Sequence, residues 1–150
     1  MYIGKVSEVT EELQEALQRL IPQLDVHKIR PTLEELNQLI ESESSTLLVA
    51  RYPLARYPHE NSAIAGVLSL IIYRVPTGLR SIIEDVVVDE KMRRRGIGVA
   101  LIRYAIELAR EAGANGVSLT SNSQREAANQ LYQSLGFELR KTNAYFYELK

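Results

Sequence analysis

The chain has 150 residues, a formal net charge of −1 and no cysteine. This length fits one domain, so we expect residues 1–150 to fold as a single unit. The lack of cysteine excludes disulfides, thiolate zinc sites and a thiol nucleophile, and the near-neutral charge excludes a surface that binds nucleic acid or anionic membrane as a whole.

Hydrophobic periodicity and turn residues predict the order β-α-α-β-β-β-α-β-α-β, which gives an α/β fold with a mixed sheet flanked by helices. The first helix is predicted to end at Pro22, the third to span residues 94–112, and the fourth to end at Gly136. Capping boxes are expected at Thr32 with Glu35 and at Ser123 with Glu126. The predicted strands are residues 2–6, 46–51, 63–73, 81–88, 117–120 and 144–149, with room for a short strand at 137–140.

A basic turn with two glycines, residues 93–98, follows the strand that ends at Val88. A helix N-terminus offers unpaired N–H donors and a positive dipole end, so it favours an anion, and glycine lets a diphosphate approach the backbone. The turn lacks the Gly-Lys-Ser/Thr ending of a P-loop and the third glycine of the dinucleotide fingerprint. Two interpretations of the turn remain: it binds a pyrophosphate ligand of another kind, or it is a basic turn that only contacts solvent.

Two motifs resemble the GNAT superfamily of N-acetyltransferases that use acetyl-CoA. Arg93-x-x-Gly96-x-Gly98 is similar to its Gln/Arg-x-x-Gly-x-Gly/Ala signature. The stretch from Ala128 to Phe137, with Leu131-Tyr132-x-x-x-Gly136-Phe137, is similar to its C-terminal signature. The resemblance implies a GNAT fold with a central, mixed and mostly antiparallel sheet and about four helices.

The resemblance also implies where acetyl-CoA, the co-substrate, would bind. The strand before the turn would pair its backbone with the pantetheine arm, and the Val86 N–H would bond the acetyl oxygen. The turn would wrap the pyrophosphate, chiefly through main-chain amides. The residues assigned to these contacts are Val86, Val87, Val88, Arg93, Arg94, Arg95, Gly96, Ile97, Gly98 and Val99.

Tyr132 matches the family tyrosine near the departing sulfur, so the resemblance implies that its phenol acts as the general acid. Outside that motif, a half-buried structural tyrosine would be the simpler interpretation. Glu84 is the first candidate for the general base, because simple alternation along the strand places it on the same face as Val86. A carboxylate paired with a basic residue is the alternative for Glu84. Asp85 is a weaker candidate for the base. The two histidines, His27 and His59, lie in predicted loops and are more simply read as surface residues, with His27 the better candidate of the two.

Two asparagines remain open as contacts to CoA. Many family members have an Asn-x-x-Ala pair that binds the pantetheine region, but Arg125 stands at the matching position here. Asn122 or Asn129 therefore replaces the missing amide, or neither does. A role in capping a helix or in shaping a loop is the alternative for Asn122.

The function implied is acetyl transfer from acetyl-CoA to a primary amine, with a non-catalytic acyl-CoA sensor as the alternative. The acceptor would be a small molecule or a peptide, bordered by loops 24–31 and 52–61 and by the closing strand with Tyr145 and Tyr147. No metal, nucleic-acid or membrane partner is expected, and a homodimer is left open. Residues 1–10 lack the apolar segment of a signal peptide, so we expect a cytoplasmic protein.

Overall fold

The structure of the chain, a computed structural model, describes residues 1–53 and 62–150. The Cα positions form two compact units, Met1–Thr120 and Ser121–Lys150. Folding of the whole chain as one domain stays a prediction. Most of the predicted loop 52–61, including His59, lies outside the described residues, whereas Tyr52 belongs to a strand.

The element order matches the prediction as far as the fourth helix. Five strands form one sheet in the order β1-β2-β3-β4-β5, antiparallel except for the parallel pair β4–β5. The expected α/β class, with a mixed and mostly antiparallel sheet and four α-helices, is confirmed. The elements are β1 (Tyr2–Lys5), α1 (Glu11–Leu24), α2 (Leu33–Glu41), β2 (Ser45–Pro53), β3 (Ser62–Val75), β4 (Gly78–Val88), a 3-10 turn (Glu90–Met92), α3 (Ile97–Glu111), β5 (Val117–Ser118) and α4 (Glu126–Ser134).

Helices of the first unit cover both faces of the sheet. On one face, Val67 of β3 and Val87 of β4 belong to an apolar cluster with buried leucines of α1 and with Leu36 of α2. The neighbouring residue Gly66 points to the other face, where α3 buries Ile97 and Leu101. Successive strand residues point to opposite faces, so β3 is buried on both.

Three predicted helix boundaries are wrong. α1 continues past Pro22 to Leu24, because its last turn is closed by the bond from the Asp25 N–H to the Ile21 carbonyl, at 3.2 Å. α3 begins at Ile97 rather than residue 94, since Gly96 before it has the left-handed φ of 77°. The capping box expected at Ser123 does not form; the Arg125 N–H instead bonds the Asn122 carbonyl, and α4 begins at Glu126.

The closing strand predicted at residues 144–149 is absent, as is the short strand at 137–140. Residues 135–150 follow α4 without regular secondary structure. Tyr145 and Tyr147 are about as exposed as in an extended chain, at 90% and 85%. Strand propensity alone does not make residues 144–149 a strand, because a strand also needs a partner edge for its N–H and C=O groups.

Gly66 is the place where α3 comes closest to the sheet. A Cβ at this position would lie 3.0 Å from the Val87 carbonyl oxygen, 3.2 Å from Leu101 and 3.3 Å from Ile97. The helix therefore packs directly on the backbone of β3, and this fixes where its N-terminus lies.

We expect Gly66→Ala to lower the free energy of unfolding by about 1–3 kcal/mol, because the added methyl overpacks this contact. Equilibrium unfolding in urea measures the loss. Gly116→Ala is the matched control, since a Cβ there meets no atom within 4 Å. Equal stability of the two variants would contradict close packing at Gly66.

Candidate active site

The pairing of β3 with β4 is interrupted at Asp85. Val67 pairs with Val87 and Ser69 pairs with Glu84, so β4 uses one residue more than β3 over this interval. Asp85 takes up the extra residue with a φ of +50°, in the left-handed region. Such a bulge bends the strand that carries it.

Beyond the bulge, β4 presents an open edge. Within the described residues, β5 pairs only with Ser81 and Ile82 of β4. The Asp89 N–H bonds the Ala65 carbonyl of β3 at 2.8 Å, so by alternation Val87 also faces β3. The peptide groups of Val86 and Val88 therefore point away from β3, towards the open edge.

The bulge also decides which way Glu84 points. Val67 and Ser69 share a face of β3, so their partners Val87 and Glu84 share a face of β4. Glu84 is thus on the face covered by α1 and α2. The prediction that Glu84 shares a face with Val86 is wrong. Glu84 is exposed, as is Asp85.

The N-terminus of α3 follows this strand as a row of backbone donors. Gly96 caps the helix without a side-chain bond, and the first helical bond runs from the Ala100 N–H to the Gly96 carbonyl. The N–H groups of Ile97, Gly98 and Val99 therefore have no partner within the helix. A Cβ at Gly96 would meet nothing within 4 Å, so space adjoins these donors.

The arginines of the turn are engaged by their own chain. The Arg93 Nε donates to the Val88 carbonyl at 3.2 Å, and the Arg95 guanidinium lies 5.5 Å from the centre of the Tyr52 ring. Arg94 holds a φ of +62° and is exposed. Arg93 and Arg95 thus contact their own chain, while Arg94 adds an exposed positive charge to the turn.

Helix α1 anchors the start of the turn through contacts that the sequence did not reveal. The Arg19 guanidinium lies 3.3 Å from the Asp89 carboxylate and also donates to the Ile64 carbonyl at 2.7 Å. The Asp89 carboxylate in turn accepts the Lys91 N–H at 3.1 Å. The Gln23 side chain accepts the Glu90 N–H at 2.8 Å. The partners are far apart in sequence, and no local pattern pairs them.

Tyr132 belongs to the second unit. The motif that contains it, Leu131-Tyr132-x-x-x-Gly136-Phe137, ends helix α4. The Phe137 N–H bonds the Tyr132 carbonyl and the Gly136 N–H bonds the Gln133 carbonyl, both at 3.0 Å. With Gly136 at a φ of +95°, these bonds form a Schellman motif. The Phe137 ring packs edge-on against Tyr132 at 6.0 Å. The motif thus fixes the position of the tyrosine on its helix.

The Tyr132 side chain is suited to donate a proton. The residue is 9% exposed, and burial raises the pKa of its phenol, an effect that Arg125 partly offsets. The phenol therefore stays protonated at neutral pH. Its position relative to β4 stays a prediction.

The two candidate asparagines make local bonds. The Asn122 side chain accepts the Gln124 N–H at 2.9 Å, and the Asn129 side chain donates to the Asn122 carbonyl at 3.0 Å. Together they shape the loop before α4, and Asn122 does not cap the helix, whose N-cap residue is Arg125. His27 is exposed in the connection between α1 and α2, where its N–H bonds the Asp25 carboxylate.

Residues 1–53 and 62–150 lack the features of two other classes of site. No helix there is long and apolar enough to cross a membrane. No group of three or more His, Asp or Glu side chains lies together in a way that could hold a metal ion.

Comparisons with known proteins give consistent matches. A model of the Acetyltransferase (GNAT) family matches residues 8–137. An uncharacterized N-acetyltransferase of Bacillus subtilis is 31% identical over 74% of this chain and 74% of its own length. N-acetyltransferase family 8 member 3 of Rattus norvegicus is 30% identical over 68% of this chain, which spans only 45% of that relative.

A solved structure matches over nearly the whole chain. It is an aminoglycoside acetyltransferase, meta-AAC0020, from an uncultured soil metagenomic sample, in complex with sisomicin. The TM-score is 0.81 at 21% identity, over 99% of this chain and 96% of the other. At this identity the likeness concerns the fold, and it agrees with the fold expected from the motifs.

We expect Arg19→Met to lower the free energy of unfolding by about 1–2 kcal/mol, because the nearly buried Asp89 carboxylate loses its cation while Arg19 itself is partly exposed. Hydrogen exchange should also become faster at the amides of residues 89–92. Urea unfolding and exchange mass spectrometry measure the two effects.

Arg110→Met is the control for this prediction. Arg110 pairs with Glu107 on the exposed side of α3, so its loss should leave both measurements unchanged. If the exchange of residues 89–92 were the same in Arg19→Met as in the wild type, α1 would not hold the turn.

Proposed function

Because the chain belongs to the acetyltransferase (GNAT) family, we propose that it transfers an acetyl group from acetyl-CoA to a primary amine by direct attack in a ternary complex. The observation that carries the proposal is the open edge of β4 and, eight residues after it, the N-terminus of α3, which no side chain caps. An extended amide chain that ends in a diphosphate needs such a pair of features: a strand edge for the chain and backbone N–H donors for the phosphates.

Pantetheine would pair with the outward peptide groups of Val86 and Val88. Arg93 already bonds the Val88 carbonyl, so the Val88 N–H and both Val86 groups are the ones available to the ligand. The pyrophosphate would accept the N–H groups of Ile97, Gly98 and Val99. Lys91 and Arg94 add positive charge around the turn, in a chain whose net charge is −1.

The chemistry needs a proton acceptor, an oxyanion donor and a proton donor. An amine with a pKa of about 10.4 is mostly protonated at neutral pH, and Glu84 would remove its proton through a water. As the new C–N bond forms, the Val86 N–H would stabilise the negative acetyl oxygen. As the C–S bond breaks, Tyr132 would protonate the leaving thiolate of CoA.

The acceptor would approach from the face of β4 that carries Glu84, which is the side of α1 and α2. The class of acceptor is supported by the relatives, which are named as N-acetyltransferases, and by the likeness to an enzyme named for aminoglycosides. A small-molecule or peptide amine fits the proposal. The cytoplasmic location stays a prediction from the sequence.

Gly96→Ala should raise the KM for acetyl-CoA about ten-fold or more, because strain in the left-handed conformation disturbs the donor row at the phosphates. The matched control is Gly113→Ala at the other end of α3. Gly96 and Gly113 have φ values of 77° and 84°, and at both a Cβ would meet no atom within 4 Å.

Both variants should therefore lose similar stability, measured by urea unfolding, while only Gly96→Ala changes the KM in steady-state kinetics. A similar KM for acetyl-CoA in the two variants would contradict the proposal that the turn binds acetyl-CoA.

The activity itself is tested by screening amines for CoA release with a thiol reagent, which the cysteine-free chain does not disturb. On an amine that turns over, Tyr132→Phe should lower kcat about 100-fold while the KM for acetyl-CoA changes little. Since the pKa of Tyr132 is raised, its ionisation should lower kcat only at pH above about 10.

Tyr104→Phe, a change at a partly buried tyrosine of α3, is the control and should keep full activity. Full activity of Tyr132→Phe would contradict the general-acid role. Binding of acetyl-CoA without thiol release from any amine would favour the acyl-CoA sensor instead.

A further inference from the structure

The connection between α1 and α2, residues 25–32, exposes apolar side chains next to basic ones. Val26 and Ile29 are 78% and 93% exposed, and Leu33, the first residue of α2, is 54% exposed. A single exposed apolar residue is normal on a protein surface, whereas several in one short stretch mark an interaction site. The connection therefore has apolar surface to offer to a ligand.

The turn at the start of the connection settles its charge. The Lys28 N–H bonds the Asp25 carbonyl at 3.1 Å, and the Asp25 carboxylate accepts the His27 N–H at 2.9 Å. The one acidic side chain of residues 25–32 is thus engaged by the backbone of its own turn. Lys28 and Arg30 give the connection a net positive charge.

The two basic residues of the connection have different surroundings. Arg30 lines a narrow crevice together with Gln14 and Gln18 of α1. Lys28 is exposed, and the ion pairs formed within residues 1–53 and 62–150 do not include it. Lys28 is therefore the cation of the connection that a ligand can engage.

The connection lies on the side of the sheet from which an acceptor would approach. Gln23, two residues before Asp25, accepts the N–H of Glu90, which follows the open edge of β4 by two residues. Glu84 points to the same side, the face covered by α1 and α2. Eight residues reach at most about 26–29 Å, at about 3.3–3.6 Å each. This length exceeds the roughly 13 Å along β4 from Val88 back to Glu84.

We propose that the acceptor is a small amine that also carries a carboxylate and an apolar group. An α-amino acid with an apolar side chain is the smallest molecule that has all three. The proposal rests on the proposed acetyl transfer: the C–N bond forms as the C–S bond breaks, the proton of the amine goes to Glu84, and CoA leaves as the thiol. The carboxylate pairs with Lys28, and the apolar group packs against Val26 and Ile29.

The charge of the connection disfavours an acceptor with several ammonium groups. A second ammonium group would meet Lys28, and like charges brought together destabilise a complex. A purely apolar amine would take water from the Lys28 ammonium without giving it a partner. A carboxylate on the acceptor avoids both costs, while Glu84 and Asp85 on β4 attract its amine.

The first test compares acceptors by CoA release from the wild type. The kcat/KM for leucine should be at least ten-fold higher than for leucinamide, which lacks the carboxylate, and for glycine, which lacks the apolar side chain. The amine of leucinamide resembles a peptide α-amino group, with a pKa of about 7.7–8.0. More of it is therefore unprotonated at neutral pH, and reactivity alone would make leucinamide the better acceptor.

The dipeptide leucyl-aspartate distinguishes two sources of the same chemistry. Its carboxylates lie on the second residue, so a higher kcat/KM than that of leucine identifies a peptide N-terminus as the acceptor, and a lower one identifies the free amino acid. If leucinamide or spermidine were a better acceptor than both, the proposal would be overturned.

The second test changes the side chains of the connection. Lys28→Met should raise the KM for leucine about ten-fold and leave that for leucinamide unchanged, because only the carboxylate engages Lys28. Lys28→Arg should retain the preference for leucine. Lys5→Met is the matched control, since Lys5 is an exposed lysine of β1 at the far edge of the sheet. Equal effects of Lys28→Met on leucine and leucinamide would contradict the pairing with the carboxylate.

The apolar contact is tested by Ile29→Ser. This change should lower the kcat/KM for leucine about ten-fold and leave that for glycine unchanged, because glycine has no side chain to lose the contact. An equal loss on both acceptors would show that Ile29 does not contact the apolar group.

Calorimetric titration separates this proposal from the proposed function, because CoA carries no acetyl group to transfer. Leucine added to the protein saturated with CoA should bind at least ten-fold more tightly than leucinamide, and Lys28→Met should remove the difference. Such binding without CoA release from acetyl-CoA would refute the transfer and keep the acceptor class. CoA release from many amines without a preference for leucine or leucyl-aspartate would refute the acceptor class alone.

Discussion

The extra residue of β4 at Asp85 is the feature on which the candidate site depends. The ladder with β3 is intact on both sides of it, at Glu84 and at Val87, so the flanking pairs hold the left-handed backbone of Asp85 in place. A backbone conformation of this kind costs about 1–3 kcal/mol and persists where its surroundings determine it. The bulge turns Glu84 towards α1 and lies within the stretch of β4 that β5 leaves unpaired.

In the proposed anion site, backbone groups contribute more than side-chain charges. Two of the three arginines of the turn, Arg93 and Arg95, already have partners in their own chain, at Val88 and Tyr52. What remains directed outwards is a set of peptide groups whose positions follow from strand alternation and from the left-handed Gly96. Such donors are held by the fold itself, so they need little reorganisation when a ligand binds.

Each of the two units has a stretch of chain whose backbone groups are not paired with a neighbouring strand. In the first unit the open edge of β4 is short, comprises Val86 and Val88, and follows a covered core. In the second unit residues 138–150 form a long, apolar segment with aromatic residues. The outward peptide groups of Val86 and Val88 form the kind of edge with which an extended ligand can pair.

The sequence by itself determined the order of elements up to α4, the family, the Thr32 cap and Gly136, the αL glycine that follows the end of α4 at Ser134. Each of these depends on neighbouring residues and on local backbone preferences. It also indicated the turn at residues 93–98 as a candidate pyrophosphate site, which stays a prediction. Only the tertiary structure decided the face of Glu84, the contacts of Arg19 with Asp89, and the absence of the closing strand. These depend on register and on partners distant along the chain, and a single sequence carries no local signal for either.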